Sequence, residues 1–337
     1  MKKENFKLAT VENHDKLWNS YGPSNSDVMR QVIDTQTQIV AGVIETKYYE
    51  LLGQKLSDFV PMDVGTGADS LSLFQFTSTY VGNDFASGLI DINNGLQKNA
   101  LADIAVSGFN IKVNFWRMAY QISQESLAVA SKNAVSFSLI EQKEKSRKKV
   151  WDLGLQDVLF KGLGDGETYG LLNQPNVSIN TSLLPVKTTA MTTAQITAFA
   201  GSVVATYNAV NNGTTLPNRW CMPTEEYLGL GRQASPDYPM KSLRKVLEEA
   251  FVEAGCPADF KIVHSKYNEK ADSTGTKGRH IFYNYEPESV RMYIPKDYTP
   301  SALFPMNGID MISIAQGQFT GVNVFRPKEM LYADVQA

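Results

Sequence analysis

Cys256 and His264 are the residues in this chain that come nearest to a nucleophile with its base. A thiolate attacking a carbonyl while an imidazole takes the proton would make a cysteine-dependent hydrolase. Cys256, however, directly follows Gly255 at the end of a predicted helix, where a small buried thiol is the commoner occupant. No G-x-S-x-G elbow or other triad context accompanies it. The three histidines, His14, His264 and His280, are spread over the chain in no metal-ligand spacing. Gly162-x-Gly164-x-Gly166 superficially resembles a phosphate cradle, but such a loop follows a strand and leads into a helix with Lys-Ser or Lys-Thr. Here the helix comes first. Glu225 with Glu226, and Glu248 with Glu249, are adjacent pairs that point to different sides of a helix and are expected to be solvated. The expectation is therefore a non-enzyme with no catalytic residue, cofactor or metal.

Composition bounds the remaining classes. A chain of 337 residues exceeds the usual single core, so two domains or one domain with long extensions are expected. A formal charge of -3 fits neither a strongly basic nucleic-acid reader nor a disordered acidic chain, and proteins are the expected partners. Two cysteines, Cys221 and Cys256, are too few for a disulfide framework and fit a reducing compartment. The N-terminus has no apolar run behind its lysines, so no signal peptide is read, and no segment approaches a membrane span.

The chain is organised around residues 134–177. Val135, Leu139 and Ile140, then Val150, Trp151, Leu155, Val158 and Leu159, keep one helical periodicity, while Glu141 to Lys149 contains no apolar residue. Glu141 with Lys145, and Glu144 with Lys148, stand in the supportive i, i+4 order. A helix from Val135 to Phe160 would be about 39 Å long at about 1.5 Å per residue, its polar centre crossing a surface. Gly162, Gly164 and Gly166 stop it through left-handed backbone angles. Gly170-Leu171-Leu172-Asn173-Gln174-Pro175-Asn176-Val177 follows.

A long charged helix, a glycine cluster and GLLN-x-P-x-V resemble the spine helix and following loop of the Hong Kong 97 type of major capsid protein, found in tailed phages and encapsulin shells. The resemblance implies an α+β Hong Kong 97-like capsid fold with an N-terminal arm, an extended E-loop, the spine helix in a peripheral P-domain and an inserted α/β A-domain. It implies hexamers and pentamers of the chain closing an icosahedral shell around a phage double-stranded DNA genome. The alternative within the same resemblance is an encapsulin-type compartment holding cargo protein. The implied place is the virion capsid, assembled in the host bacterial cytoplasm.

The rest of the chain supplies matching pieces. A polar arm precedes a helix that Ser26 or Asp27 caps and that runs towards Leu51 and Leu52, stopping at Gly53. Leu71 to Tyr80 and the alternating run from Phe109 to Trp116 read as paired strands. Between them Gly82 to Gly108 is too long for a hairpin turn, and the resemblance makes it the E-loop. Its apolar residues Phe85, Leu89, Ile90, Ile92, Leu96, Leu101, Ile104 and Val106 are expected to bury against a neighbouring copy. Ser123 is expected to cap a short helix through Val129. Helices at Ala194–Val210, from Pro223–Glu226 and at Lys241–Ala254 alternate with strands at Trp220–Met222, Phe260–His264 and His280–Tyr285. The tail carries strand-like runs at Val290–Ile294, Gly308–Ala315 and Phe319–Phe325, divided by prolines and Gly317. The expected divisions are 1–58 arm and helix, 59–122 E-loop and its strands, 123–190 P-domain, 191–285 A-domain and 286–337 strands completing the P-domain.

Three expectations concern assembly. Lys143, Lys145, Arg147, Lys148 and Lys149 outnumber Glu141 and Glu144 on the spine. They form either a solvated face or a strip making sequence-independent phosphate contacts with packaged DNA. Lys98 is the one lysine of the long excursion, and non-covalent assembly is expected instead of a lysine–asparagine cross-link. A helix beginning near Ser26 leaves no room for a fused scaffolding segment, so a separate scaffolding protein or none is expected, with a portal as further partner and no membrane.

Overall fold

The computed structural model describes residues 47–82, 102–125, 139–235, 238–272, 274–306 and 310–336. Tyr49–Ala130 with Ser138–Ala337 form one compact unit, which contains all the elements below. The other unit, Met1–Tyr48 with Ser131–Phe137, lies almost wholly outside the described residues, and with it the expected arm and the helix from Ser26. That helix does not reach Leu51. Residues 47–50 are not helical, and Leu51–Gly53 is a tight turn with positive φ at Leu51, Leu52 and Gly53. The turn buries Leu51 in the core and leaves Leu52 in solvent.

After β1 (Met62–Val64), β2 (Ser72–Gly82) and β3 (Ala102–Lys112) pair antiparallel from Ser72↔Lys112 to Gly82↔Ala102. The alternation of Phe109 to Trp116 does not make one strand. Buried Val113 interrupts it, and β4 (Asn114–Ile122) joins a different sheet. Gln124 and Glu125 are helical, and the rest of the short helix expected through Val129 lies outside the described residues.

Helix α1 spans Leu139–Lys161, about 35 Å at about 1.5 Å per residue. Its C-terminal half fills the core through Trp151, Leu155, Val158, Leu159 and Phe160. Trp151 lies against Trp116 and Phe319 and covers Gly317, where a Cβ would stand 2.4 Å from the indole. Gly317 therefore does not divide the tail. It is the flat place in the strand Asp310–Phe319 that admits the ring.

Strand β5 (Ser178–Leu184) leads to α2 (Thr193–Asn211), which Thr192 caps with Gln195 answering in a capping box. Next come β6 (Arg219–Pro223), α3 (Thr224–Gly229), and a short antiparallel pair of β7 (Gln233–Ser235) with β8 (Tyr238–Ser242). Ser242 caps α4 (Leu243–Glu253), which buries Leu243, Leu247, Ala250 and Phe251 as its period predicts. Strands β9 (Lys261–Ser265), β10 (Arg279–Tyr283), β11 (Val290–Ile294), β12 (Lys296–Pro300) and β13 (Phe304–Met306) follow. The chain closes through β14 (Asp310–Phe319), β15 (Val322–Val324) and β16 (Met330–Val335).

The strands make a sheet in the order β5-β16-β10-β6-β9, another of β1-β11-β15, and a third in which β14 pairs with β4, β12 and β13. Helices α2 and α4 cover one side of the first sheet through Phe199, Val203, Leu247 and Phe251, which pack with Trp220 and Phe282. Cys221, Val263, Ile281 and Tyr332 on its other side share a core with α1. The divisions at 190/191 and 285/286 therefore cut through a sheet. β16, wholly buried, lies between β5 and β10, so the last strand completes the α/β layer and not the sheet of β4 and β14.

Candidate assembly surface

The residues nearest to chemistry are structural. Cys256 lies in the α2/α4 core, and burial pushes its thiol up to about 12. Cys221 is raised by burial too. His264 turns its Nδ1 to Thr224 Oγ1 at 3.2 Å and stacks on Tyr227, and among the described residues no hydrogen bond joins it to Cys256. No cluster of three or more His, Cys, Asp or Glu suited to a metal occurs among the described residues.

Glu226 corrects the expectation of two solvated acids. Glu225 is exposed, but Glu226 is buried. Its Oε2 accepts Thr188 N–H at 2.9 Å and Thr188 Oγ1–H at 2.6 Å, and its Oε1 lies 3.3 Å from His280 Nε2. Trp220 Nε1 donates to His280 Nδ1 at 3.1 Å, so the imidazole presents its Nε2 proton to the carboxylate. Burial alone would raise Glu226, but the bonds from His280 and Thr188 hold it down at about 2.

The GLLN-x-P stretch is a clamp on the end of α1. The last carbonyls of a helix lack intrahelical donors. Leu171 N–H and Leu172 N–H reach Leu159 O and Phe160 O, and Asn173 Nδ2 reaches Lys161 O at 2.8 Å while its Oδ1 accepts Gly170 N–H. A Cβ on Gly170 would stand 2.3 Å from Phe160 O, so only glycine permits this approach. Gly162, Gly164 and Gly166 all take positive φ, as the sequence predicts. Gln174 then bonds Val322 O, Tyr332 Oη bonds Leu171 O, and Arg279 bonds Leu172 O, tying the clamp to three strands.

The expected basic strip breaks up. Arg147 is 2 % exposed. It donates to Tyr298 Oη at 2.8 Å, to Ser313 O at 2.8 Å and to Glu144, and its guanidinium lies 4.5 Å from the Tyr120 ring centre. The polar centre of α1 therefore crosses the β4/β14 sheet through a buried arginine. Glu144 turns to Arg147 and Tyr298 instead of to Lys148. Lys143 bonds Gln121 O, and Lys149 pairs with Glu50. Lys145 and Lys148 remain exposed on a face that also carries Glu141 and Asp152.

Some large apolar side chains are left uncovered. Phe74 and Phe76 are 59 % and 69 % exposed, and they share one face of the hairpin with Gly108, over which the Phe74 ring lies. The opposite face is anchored. Ile111 is buried, Gln75 Oε1 accepts Tyr293 Oη–H at 3.2 Å, and Phe109 meets Phe325 edge-on. Lys112 fixes the base by pairing with Asp165 and Glu167. Phe115, Ile314, Phe304 and Met306 are further exposed apolar residues, on the β14 sheet. Exposed apolar residues grouped in this way mark interaction surfaces. Of the expected contact residues, Ile104 and Val106 lie on β3. Phe85, Leu89, Ile90, Ile92, Leu96 and Leu101, like Lys98, lie outside the described residues. Phe74 and Phe76 escaped sequence reasoning, although two phenylalanines on one side of an alternating strand were the available signal.

A family model described as major capsid protein matches residues 92–335. A search of curated protein sequences finds no match. Among solved structures, the capsid of Myoviridae phage XM1 superposes with a TM-score of 0.70 at 14% identity, over 90% of this chain and 97% of that one. The capsid of a native GTA particle gives 0.56 at 10% identity, over 93% and 99%. Mycobacterium phage Che8 gives 0.55 at 11% identity, over 88% and 96%. At such identities the likeness is one of fold. The family match, which spans well over half of the residues, shows that this chain belongs to the major capsid protein family and is a shell-forming capsid protein.

Proposed function

We propose that this chain is the non-enzymatic subunit of an icosahedral Hong Kong 97-like shell, built from its hexamers and pentamers around phage double-stranded DNA. The observation that carries the reading is the β2–β3 hairpin, rooted in its own subunit by one face and bare at Phe74 and Phe76 on the other. A two-stranded arm is marginal on its own in water. A neighbouring copy that covered the two rings would contribute about 1.5–3 kcal/mol for each side chain fully buried. In this reading β2, β3 and the residues between them are the E-loop, α1 is the spine of the P-domain, and the β5-β16-β10-β6-β9 sheet with α2 and α4 is the A-domain. Residues 1–58 are the N-terminal arm and helix, of which the arm reaches neighbouring copies. Assembly is non-covalent, in the host bacterial cytoplasm, with a scaffolding protein and a portal as partners.

Lys145 and Lys148 are what remains for contact with DNA. Such contact is sequence-independent and weakens with salt. Electron microscopy of the expressed chain tests the reading, with closed shells of hexamers and pentamers as the expected result. Nuclease-protected DNA in particles from infected cells separates a genome shell from one filled with cargo protein. Particles holding a single protein cargo and no DNA would contradict the genome reading.

A further inference from the structure

Strand β9 ends the five-stranded sheet, and among the described residues no strand pairs with its outer edge. An open edge invites unwanted pairing. Here the side-chain amide of Gln54 stands in for a neighbouring strand: His264 N–H donates to Gln54 Oε1 at 3.4 Å, and Gln54 Nε2 donates to His264 O at 3.2 Å. Two residues further on, Lys266 N–H donates to Tyr49 Oη at 2.8 Å. The segment by which the chain enters the compact unit is thus fastened at this edge.

The His264 ring holds a second element. Its Nδ1 meets Thr224 Oγ1, and its plane stacks on Tyr227 at 4.0 Å between centroids, both on α3. From α4, Arg244 donates to Tyr227 Oη at 2.7 Å and is the charge that acts on the imidazole. Glu226, next to Tyr227 along α3, is engaged by Thr188 and His280. From β6, Met222 lies opposite His264 in register and carries no charge. The pocket thus accepts a neutral ring, and among these described residues it offers an imidazolium no anion.

We propose that His264 is an acid-sensitive latch, which when neutral holds both the Gln54 segment and helix α3 to the sheet edge and when protonated releases them together. Burial, and then Arg244, hold the imidazole below its ordinary value. The added proton stays on the ring, which moves towards water. That movement breaks the Thr224 contact and the Tyr227 stack and shifts the backbone groups that Gln54 grips. Acid therefore loosens the root of the N-terminal segment in the single subunit, independently of shell formation.

Hydrogen exchange on the full chain, read on peptides covering 49–58 and 224–230 and corrected for intrinsic rates, tests the latch. Opening of both peptides is expected to rise together, by up to about tenfold for each pH unit of descent below the ordinary imidazole value of about 6.5. His264→Asn keeps a group where Nδ1 was and cannot titrate, so its opening is expected to be flat with pH. A flat wild-type response, separate responses of the two peptides, or a slope that persists in H264N overturns the proposal. Should H264N not fold, the wild-type imidazole proton resonances decide. A His264 titration at or above the ordinary value, or one outside the window in which the peptides open, overturns it equally.

Discussion

At the scale of single residues, Arg147 shows how a charged stretch can hide a core residue. Its guanidinium satisfies Tyr298, Ser313, Glu144 and the Met118 carbonyl at once. Hydrogen bonds to charged groups contribute about 1.5–3 kcal/mol each in favourable cases, and buried partners left unpaired cost more. Arg147→Ala is expected to lower subunit stability by roughly 3 kcal/mol. Exposed Lys148→Ala should stay within about 0.5 kcal/mol in the same denaturant titration. Composition alone could not separate these two residues, since both sit in one run of lysine, arginine and glutamate. What separates them is that Tyr120, Ser313 and Tyr298 arrive from distant strands. Glu226 gives the matching case for acids. Its folded carboxyl is held near 2, below its unfolded value, so its contribution is present above about pH 4.3 and is lost as pH falls towards 2. Glu226→Gln is expected to flatten that acid limb in unfolding titrations of the free subunit, and an unchanged limb would remove the carboxylate from the account.

At the scale of elements, α1 and its glycine stop were legible because each rests on local rules. The 3.6-residue period placed Trp151, Leu155 and Leu159 inside, and glycine spacing placed the stop. The clamp makes a sharp expectation. Gly162→Ala places a Cβ 2.2 Å from Thr168 O at a φ of +72°, so the loop must move, whereas Gly164→Ala meets the same strained φ with open space around it. The first is expected to be the more destabilising by at least about 1 kcal/mol, measured as the difference in chemical unfolding. Strand β16 was not legible for the opposite reason. Met330 to Val335 is buried on both faces and so shows no alternation, and Asp334 inside it is tolerated only because Arg279 pairs with it at 2.7 Å. Gly317 misled in the same manner: its reason for being glycine is Trp151, which the sequence holds far away.

At the scale of the whole molecule, the aromatic side chains separate into two groups. Trp151, Phe160, Trp220 and Phe282 close the cores, while Phe74 and Phe76 stand in water on a hairpin whose other face is already committed. Because the second group contributes nothing to its own subunit's core, Phe74→Ser with Phe76→Ser is expected to leave the unfolding midpoint of the free subunit nearly unchanged. Assembly is where the loss should appear. The most direct measurement is a reconstruction of particles formed by the expressed wild-type chain, beside light scattering of the double variant under the same conditions. The account predicts closed wild-type shells in which a neighbouring copy covers Phe74 and Phe76, with the variant remaining as folded, unassembled subunits. Wild-type shells that leave both rings facing solvent, or a double variant that still closes regular shells, would contradict it.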